Sequence, residues 1–405
     1  MALTIDNGER KWRPVDPLRH HREKGWDYRG RAIYHFTLPV EGRYPLFGTL
    51  EGESAGTAFV KLNSFGRRVC QMLSGLAQFY KGKGYELKVL TQMVMPDHVH
   101  LVIQVLEPLP HSIGVVVRGF KSGCTKLYKE EYYFNGENAA EMHGEIHAGA
   151  AKVNGEAPVQ FARIFAGRGS IWQQNAAYYH ERILHAPGQL RRMIDYVKDN
   201  PRRLWLKRHN PDLFKLHRQT EAAGLSFTSM GNHFLLNWPD GQTVEISRSA
   251  TNEQIEEQLR LAIAAAQNGA VTYTAAISKG EQLIARSLRK QGYPLIVLLN
   301  DGFPKEGHPN ERYYKPGGIY FEACSKGQLL LLEPTEQSFL DSSIQKAVEE
   351  TLRRKAEERH YSFTPIPVTS QRYRFMALNE MAKRLSAFYT FTAYHPRTPS
   401  MAPYS

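Results

Sequence analysis

His98 and His100 lie at i and i+2 in Gln92-Met-Val-Met-Pro-Asp-His-Val-His-Leu-Val-Ile-Gln104, with apolar residues between and after them. Alternation of this kind reads as a β-strand, and positions i and i+2 of a strand share a face. Two imidazoles standing side by side can share one metal ion, while Val99 and Leu101 turn the other way into a core. Further along, Met193-Ile-Asp-Tyr-Val-Lys-Asp-Asn-Pro201 reads as the end of a helix. There Tyr196 and Asn200 are four apart and so share a face. A phenol and an amide are thus offered beside each other on an element remote in sequence from the histidines.

Met95-Pro-Asp-His-Val-His100 and Tyr196-Val-Lys-Asp-Asn-Pro201 occur in order with Arg43-Tyr-Pro-Leu-Phe-Gly48, Phe120-Lys-Ser122 and Trp172-Gln173. Together these words resemble the single-tyrosine HUH transposases, more closely the REP-associated tyrosine transposases. The resemblance spans roughly residues 31–210. It departs from the family at Asp97, where Asn is frequent; a carboxylate there either tunes a metal or caps the turn.

The resemblance implies an α+β catalytic domain, an antiparallel sheet with helices of the ferredoxin-like HUH type. It implies that His98, His100 and Asn200 hold Mg²⁺ or Mn²⁺, acting as a Lewis acid on the scissile phosphate. Tyr196 would attack phosphorus, form a 5′-phosphotyrosine and release a 3′-hydroxyl. The free phenol is mostly protonated at neutral pH, so loss of its proton needs assistance. The implied partner is single-stranded or hairpin DNA, and the implied assembly a monomer or homodimer. Two other classes compete. One is a catalytically silent DNA-binding regulator derived from a transposase, disfavoured by the intact His98, His100, Tyr196 and Asn200. The other is a metal enzyme acting on a small molecule, disfavoured by the lack of further acid or cysteine ligands nearby.

The bulk properties agree with a partner of opposite charge without specifying it. The net charge is +12 and the pI about 9.4, which favours phosphate backbones at long range. At 405 residues, 42% hydrophobic and 23% charged, the chain has the size of two to three ordinary globular domains. No apolar run of about 18 residues is present, and the N-terminus lacks an apolar signal core, so no membrane partner is expected. The expected location is the cytoplasm, in association with the nucleoid. Cys70, Cys124 and Cys324 are scattered and form neither a metal spacing nor a disulfide framework.

The elements that must position these groups follow from periodicity. Residues 1–29 read as a basic arm in which Trp12 and Trp26 hint at some packing. A catalytic domain is expected over 30–218. In it, Arg31–Leu38 is a strand, and His35 on that strand reads as structural or surface. A hairpin is expected between Thr49 and Leu62, and a helix capped by Asn63 or Ser64 runs to Lys81. Tyr85–Met95 is the strand before the histidines, and a helix starts at Ser112. That helix carries Arg118, Lys121 and Lys126 as candidate DNA contacts. Residues 130–168 read as an insertion, within which His143 and His147 are a weak metal pair. Tyr178–Leu184 is a final strand, and a helix from Pro187 ends near Pro201. Arg202, Arg203, Lys207 and Arg208, interleaved with Trp205, complete the candidate DNA surface.

A second domain is expected over 221–392, followed by a disordered tail at 393–405. Leu225–Ser229 and His233–Asn237 flank Met230-Gly-Asn as a hairpin. Strands and helices then alternate, which implies a parallel α/β sheet. The Ile277-Ser-Lys-Gly-Glu281 turn, the apolar stretch 294–299 and Leu329–Pro334 resemble the Rossmann-like domain of the DNA-processing protein A (DprA/Smf) family. In such a fold the turn can present backbone N–H groups to phosphate. The family's glycine-rich pattern is largely missing here, so a structural or partner-docking role competes.

Overall fold

The computed structural model describes residues 2–6, 9–13, 23, 25–132, 170–173, 180–303 and 318–394. Of the expected insertion only 130–132 lie among them, and of the expected tail only 393–394; the His143/His147 pair lies outside the described residues. The chain divides into two compact units, Met1–Leu206 and Lys207–Ser405.

In the first unit β1 (Ala2–Asp6) pairs antiparallel with β2 (Glu9–Arg13). There follow β3 (Ile33–Pro39), the hairpin β4 (Gly48–Glu51) and β5 (Phe59–Leu62), and helices α1 (Ser64–Ser74) and α2 (Leu76–Lys81). Next come β6 (Leu87–Met95), β7 (His98–Val105), α3 (Gly114–Tyr132), β8 (His180–Ile183), α4 (Gln189–Lys198) and α5 (Asn200–His209), the division of the chain falling within α5 after Leu206. The main sheet has the order β6-β7-β3-β8 and is antiparallel throughout.

Strand alternation divides the two faces of this sheet. Tyr34, Phe36, Leu38, Val99, Leu101 and Ile103 are buried in one core with residues of α1, α2 and α3. His35, Thr37, His98, His100 and Val102 take the alternate positions, and Val102 packs with Met193 and Val197 of α4. The expected capping of α1 is met by Asn63, whose Oδ1 accepts from the Gly66 N–H at 2.7 Å. The helix turns at Gly75 and continues as α2. Gly66 is a close-approach position: a Cβ there would lie 2.0 Å from the Phe47 carbonyl oxygen. Gly66→Ala should therefore lower stability by about 2 kcal/mol, read as a fall in the thermal melting midpoint.

The second unit holds β9 (His217–Ala222), β10 (Leu225–Gly231), β11 (Gly241–Thr243), α6 (Asn252–Gln267), β12 (Val271–Thr274), α7 (Lys279–Lys290) and β13 (Leu295–Leu298). It ends with α8 (Gly318–Ser325), β14 (Leu329–Pro334), α9 (Glu336–Phe339), α10 (Ser342–Glu358) and α11 (Gln371–Tyr394). Its sheet order is β11-β12-β13-β14-β10-β9. Four consecutive leucines, Leu329–Leu332, are fully buried because both faces of β14 are covered. Leu329 and Leu331 meet α6, α7 and α8; Leu330 and Leu332 meet α10 and α11.

The expected all-parallel sheet is corrected to a mixed one. β11 to β14 are parallel, while β10 and β9 add antiparallel. The expected hairpin partner at 233–237 is a 3₁₀ helix, and the hairpin instead turns at Ala223-Gly224. Both turn residues have positive φ, 51° and 73°, as a two-residue hairpin turn requires. Gly231, which mimicked a turn in the sequence, ends β10 at φ 120°. A Cβ there would come within 2.2 Å of the Leu329 carbonyl oxygen.

At the Ile277–Glu281 turn, for which a phosphate cradle and a structural role compete, the carboxylate of Glu281 occupies the loop. Glu281, 1% exposed, turns its carboxylate back on the loop. It accepts from Ile277 N (2.6 Å), Ser278 N (3.0 Å) and Ile246 N (3.1 Å). The donors that a phosphate would use are taken by the chain's own anion. Glu281→Ala, which strands three donors, should cost about 3 kcal/mol in a denaturant melt.

Candidate active site

The antiparallel pairing of β3 with β7 sets Thr37 opposite His100 and His35 opposite Val102. Pairing and alternation together bring three imidazoles into one row. His98 Nε2 lies 3.1 Å from His100 Nε2, and His100 Nδ1 lies 3.1 Å from both His35 Nε2 and Thr37 Oγ1. At the other end His98 Nδ1 lies 2.6 Å from Asp97 Oδ1. All three histidines are buried, His100 almost wholly.

One tautomer set satisfies these contacts, assigned from the network. His98 donates its Nδ1–H to the Asp97 carboxylate, which leaves His98 Nε2 to accept from His100 Nε2–H. His100 Nδ1 then accepts from either His35 Nε2–H or the Thr37 hydroxyl, both 3.1 Å away. Asp97 also meets Arg43 Nη1 at 3.5 Å. Burial alone would raise the Asp97 pKa. The hydrogen bond and electrostatic attraction of His98, with Arg43 and a backbone hydrogen bond, together outweigh burial and hold the carboxyl below the usual range.

Helix α4 brings Tyr196 to the same row. Its amphipathic spacing buries Met193 and Val197 against the sheet, which leaves Tyr196 half-buried at the edge of that contact. The Tyr196 ring stands edge-on to His100, centroids 5.6 Å apart, and to His35 at 6.4 Å. The Arg203 guanidinium lies over the phenol ring, 5.3 Å from its centroid. Burial raises the phenol pKa; Arg203, Asn200 and Arg43 oppose it without cancelling it.

Asn200 is placed differently from its expected role. Pro201 ends α4 and begins α5, since a missing N–H is tolerated in a first turn. Asn200 becomes the first residue of α5. Its Nδ2 donates to the carbonyls of Tyr196 (2.7 Å) and Val197 (3.4 Å), so it caps the end of α4. Asn200→Ala should cost about 1 kcal/mol in a thermal melt. It should also raise the Tyr196 pKa in an absorbance titration, because one of the groups lowering it is removed.

The expected Mg²⁺ or Mn²⁺ centre is corrected. Among the described residues no group of three or more His, Cys, Asp or Glu side chains could hold a metal ion. The physical reason is that the donors are spent on one another. The imidazole nitrogens of His98 and His100 face each other, Asp97, His35 and Thr37, and the Asn200 Nδ2 is turned to a helix end.

The candidate DNA contacts fall into separate groups. Arg118 and Lys126 are exposed on α3, with Lys126 Nζ 3.8 Å from Glu130. Lys121 is half-buried on the same helix, and burial depresses its ammonium pKa to about 8. Arg202 makes two hydrogen bonds to Asp199, at 2.6 and 3.0 Å, and Arg203 lies on Tyr196. Trp205 donates its indole N–H to the Gly52 carbonyl at 3.2 Å. Lys207 and Arg208 belong to the second unit. His35, Thr37 and Arg43 are the site residues that sequence reasoning missed. The signal for the first two was present: His35-Phe-Thr37 alternates as His98-Val-His100 does.

No known family model matches the chain, and no curated protein matches it. No helix among the described residues is long and apolar enough to cross a membrane. Among solved structures, the chain is similar to the DNA processing protein A of Helicobacter pylori, described for its single-stranded DNA binding mode. Identity is 18% and the TM-score 0.25, over 40% of this chain and 57% of that one. The chain thus spans little more than half the length of that protein. It is also similar to a REP-associated tyrosine transposase bound to a REP hairpin, at 15% identity and TM-score 0.23, over 44% of this chain and 72% of that one. Both likenesses are weak and partial, and each concerns the fold alone.

Proposed function

We propose that the first unit cleaves and rejoins single-stranded or hairpin DNA, with Tyr196 as the nucleophile, as a distant relative of the single-tyrosine HUH transposases. The observation that carries the reading is the convergence of the Tyr196 phenol with the His35–His100–His98–Asp97 row and the Arg203 guanidinium. The Tyr196 oxygen attacks phosphorus and the P–O3′ bond breaks. The phenolic proton passes to the imidazole row, where the Asp97 carboxylate stabilises the imidazolium. The departing 3′-oxygen takes that proton from the row and leaves as a hydroxyl, which returns the row to neutral, while the 5′-phosphate stays on Tyr196. The covalent link keeps the phosphodiester energy, so a second 3′-hydroxyl can reverse the step on another strand. Arg203 places positive charge at the phenol, where the oxyanion forms and phosphate must arrive. The basic residues Arg118, Lys121, Lys126, Arg202, Lys207 and Arg208 are read as contacts to the DNA backbone.

The test is incubation of the full chain with end-labelled single strands and hairpins, followed by denaturing electrophoresis. A labelled adduct that survives denaturation is expected. Binding without any adduct across a panel of strands would instead favour the silent regulator.

A further inference from the structure

We propose that the second unit binds a small nucleoside phosphate, in a cavity at the carboxyl ends of β11 and β12 walled by α10 and α11. The cavity measures ≈ 560 Å³, within the range of about 300–1,000 Å³ typical of small-molecule sites. Ligands of open α/β sheets gather at this end of the parallel strands. Arg248, Arg359 and Arg372 line the cavity and are exposed, and none has a carboxylate partner among the described residues. The two carboxylates in the lining are already engaged. Glu245 pairs with Lys383 at 2.6 Å and Lys355 at 3.9 Å, and Glu281 holds three backbone N–H groups. The cavity therefore carries an uncompensated positive charge.

One side of the remaining surface is apolar and partly aromatic. Ile246, Ile277 and Phe375 contribute to it, with Arg248 5.8 Å from the Phe375 ring centroid. Tyr361, 48% exposed, lies at the same cavity. A planar ring on the apolar side and an anion at the arginines is the chemistry of a nucleoside phosphate. The usual loop cradle is closed by Glu281, so the phosphate must be held by side chains. A bare phosphate, with no ring to bury, binds poorly. A volume of ≈ 560 Å³ suits a single nucleotide, so the proposed occupant is a free nucleoside phosphate rather than a strand. This inference is independent of the tyrosine chemistry.

The full chain is titrated with AMP, GMP, CMP and UMP, with inorganic phosphate, and with a 5′-phosphorylated oligonucleotide, by calorimetry and by shift of the melting midpoint. At least one nucleoside monophosphate should saturate, at least about tenfold tighter than inorganic phosphate. It should raise the midpoint of the wild-type chain and not of R359A/R372A. Affinity should fall at least about tenfold in R359A/R372A and also fall in Phe375→Leu, with Tyr196→Phe unchanged. The proposal is overturned by no saturable binding, by undiminished binding in R359A/R372A, by equal affinity for inorganic phosphate, or by binding of the oligonucleotide alone.

Discussion

Tyr196→Phe is expected to reduce covalent capture of a labelled DNA strand by about 10³-fold or more, with little change in stability. The phenol oxygen is the only atom removed. The ring keeps its edge contacts to His100 and His35 and its place beneath Arg203, so the site retains its shape. The pH dependence has a defined sign. Burial holds the phenol pKa above its ordinary value of about 10, so the neutral form dominates at pH 7 and the rate rises as the pH is raised. Adduct yield on a denaturing gel from pH 6 to 9, for wild type and variant, measures both effects. An adduct of undiminished yield in the Phe variant would remove Tyr196 from the mechanism.

Asp97→Ala should lower the rate of adduct formation by about 10²-fold, the second largest effect. Asp97 does not touch the phosphate in this mechanism. It orients His98 through the 2.6 Å bond to Nδ1 and stabilises positive charge on the imidazole row. Asp97→Asn keeps an acceptor oxygen and loses the charge, so it should recover part of the rate. The split between the two variants separates orientation from electrostatics. Equal rates in all three would show that Asp97 only caps its turn. The same residue predicts an acid limit to stability. Its pKa is depressed in the folded chain, so its contribution is complete above the unfolded value near 3.9 and is lost as pH falls through the folded value. An acid titration followed by circular dichroism should show less loss in Asp97→Ala than in wild type over that window.

Much of the local structure was legible because it rests on short-range rules. The period-2 pattern from His98 onward becomes β7 with its two histidines adjacent, ring centroids 4.8 Å apart. The Asn63 cap at the start of α1 appears as the spacing implied. The errors have a common cause. Ala223 at positive φ carries no turn signature, whereas Gly231 carries one and serves a close crossing of β10 and β14. In the same way Tyr196 and Asn200 were read as one helix face. Pro201 starts a second helix there, which redirects Asn200 to the carbonyls that end the first.

By itself the sequence determined which residues are apolar at which period, and so the identity of the strands, the helices and the face on which His98 and His100 stand. Only the tertiary structure decided what those polar groups meet. The register of β3 on β7, locked by burial of Tyr34, Phe36 and Leu38 on the far face, recruits His35 and Thr37 to the row. The docking of α4 through Met193 and Val197 sets Tyr196 beside it. A lone pair or an N–H can be spent once, and its nearest partner is fixed by packing between distant segments. That is why a ligand set read from spacing became a hydrogen-bonded chain, and a phosphate cradle became the seat of Glu281.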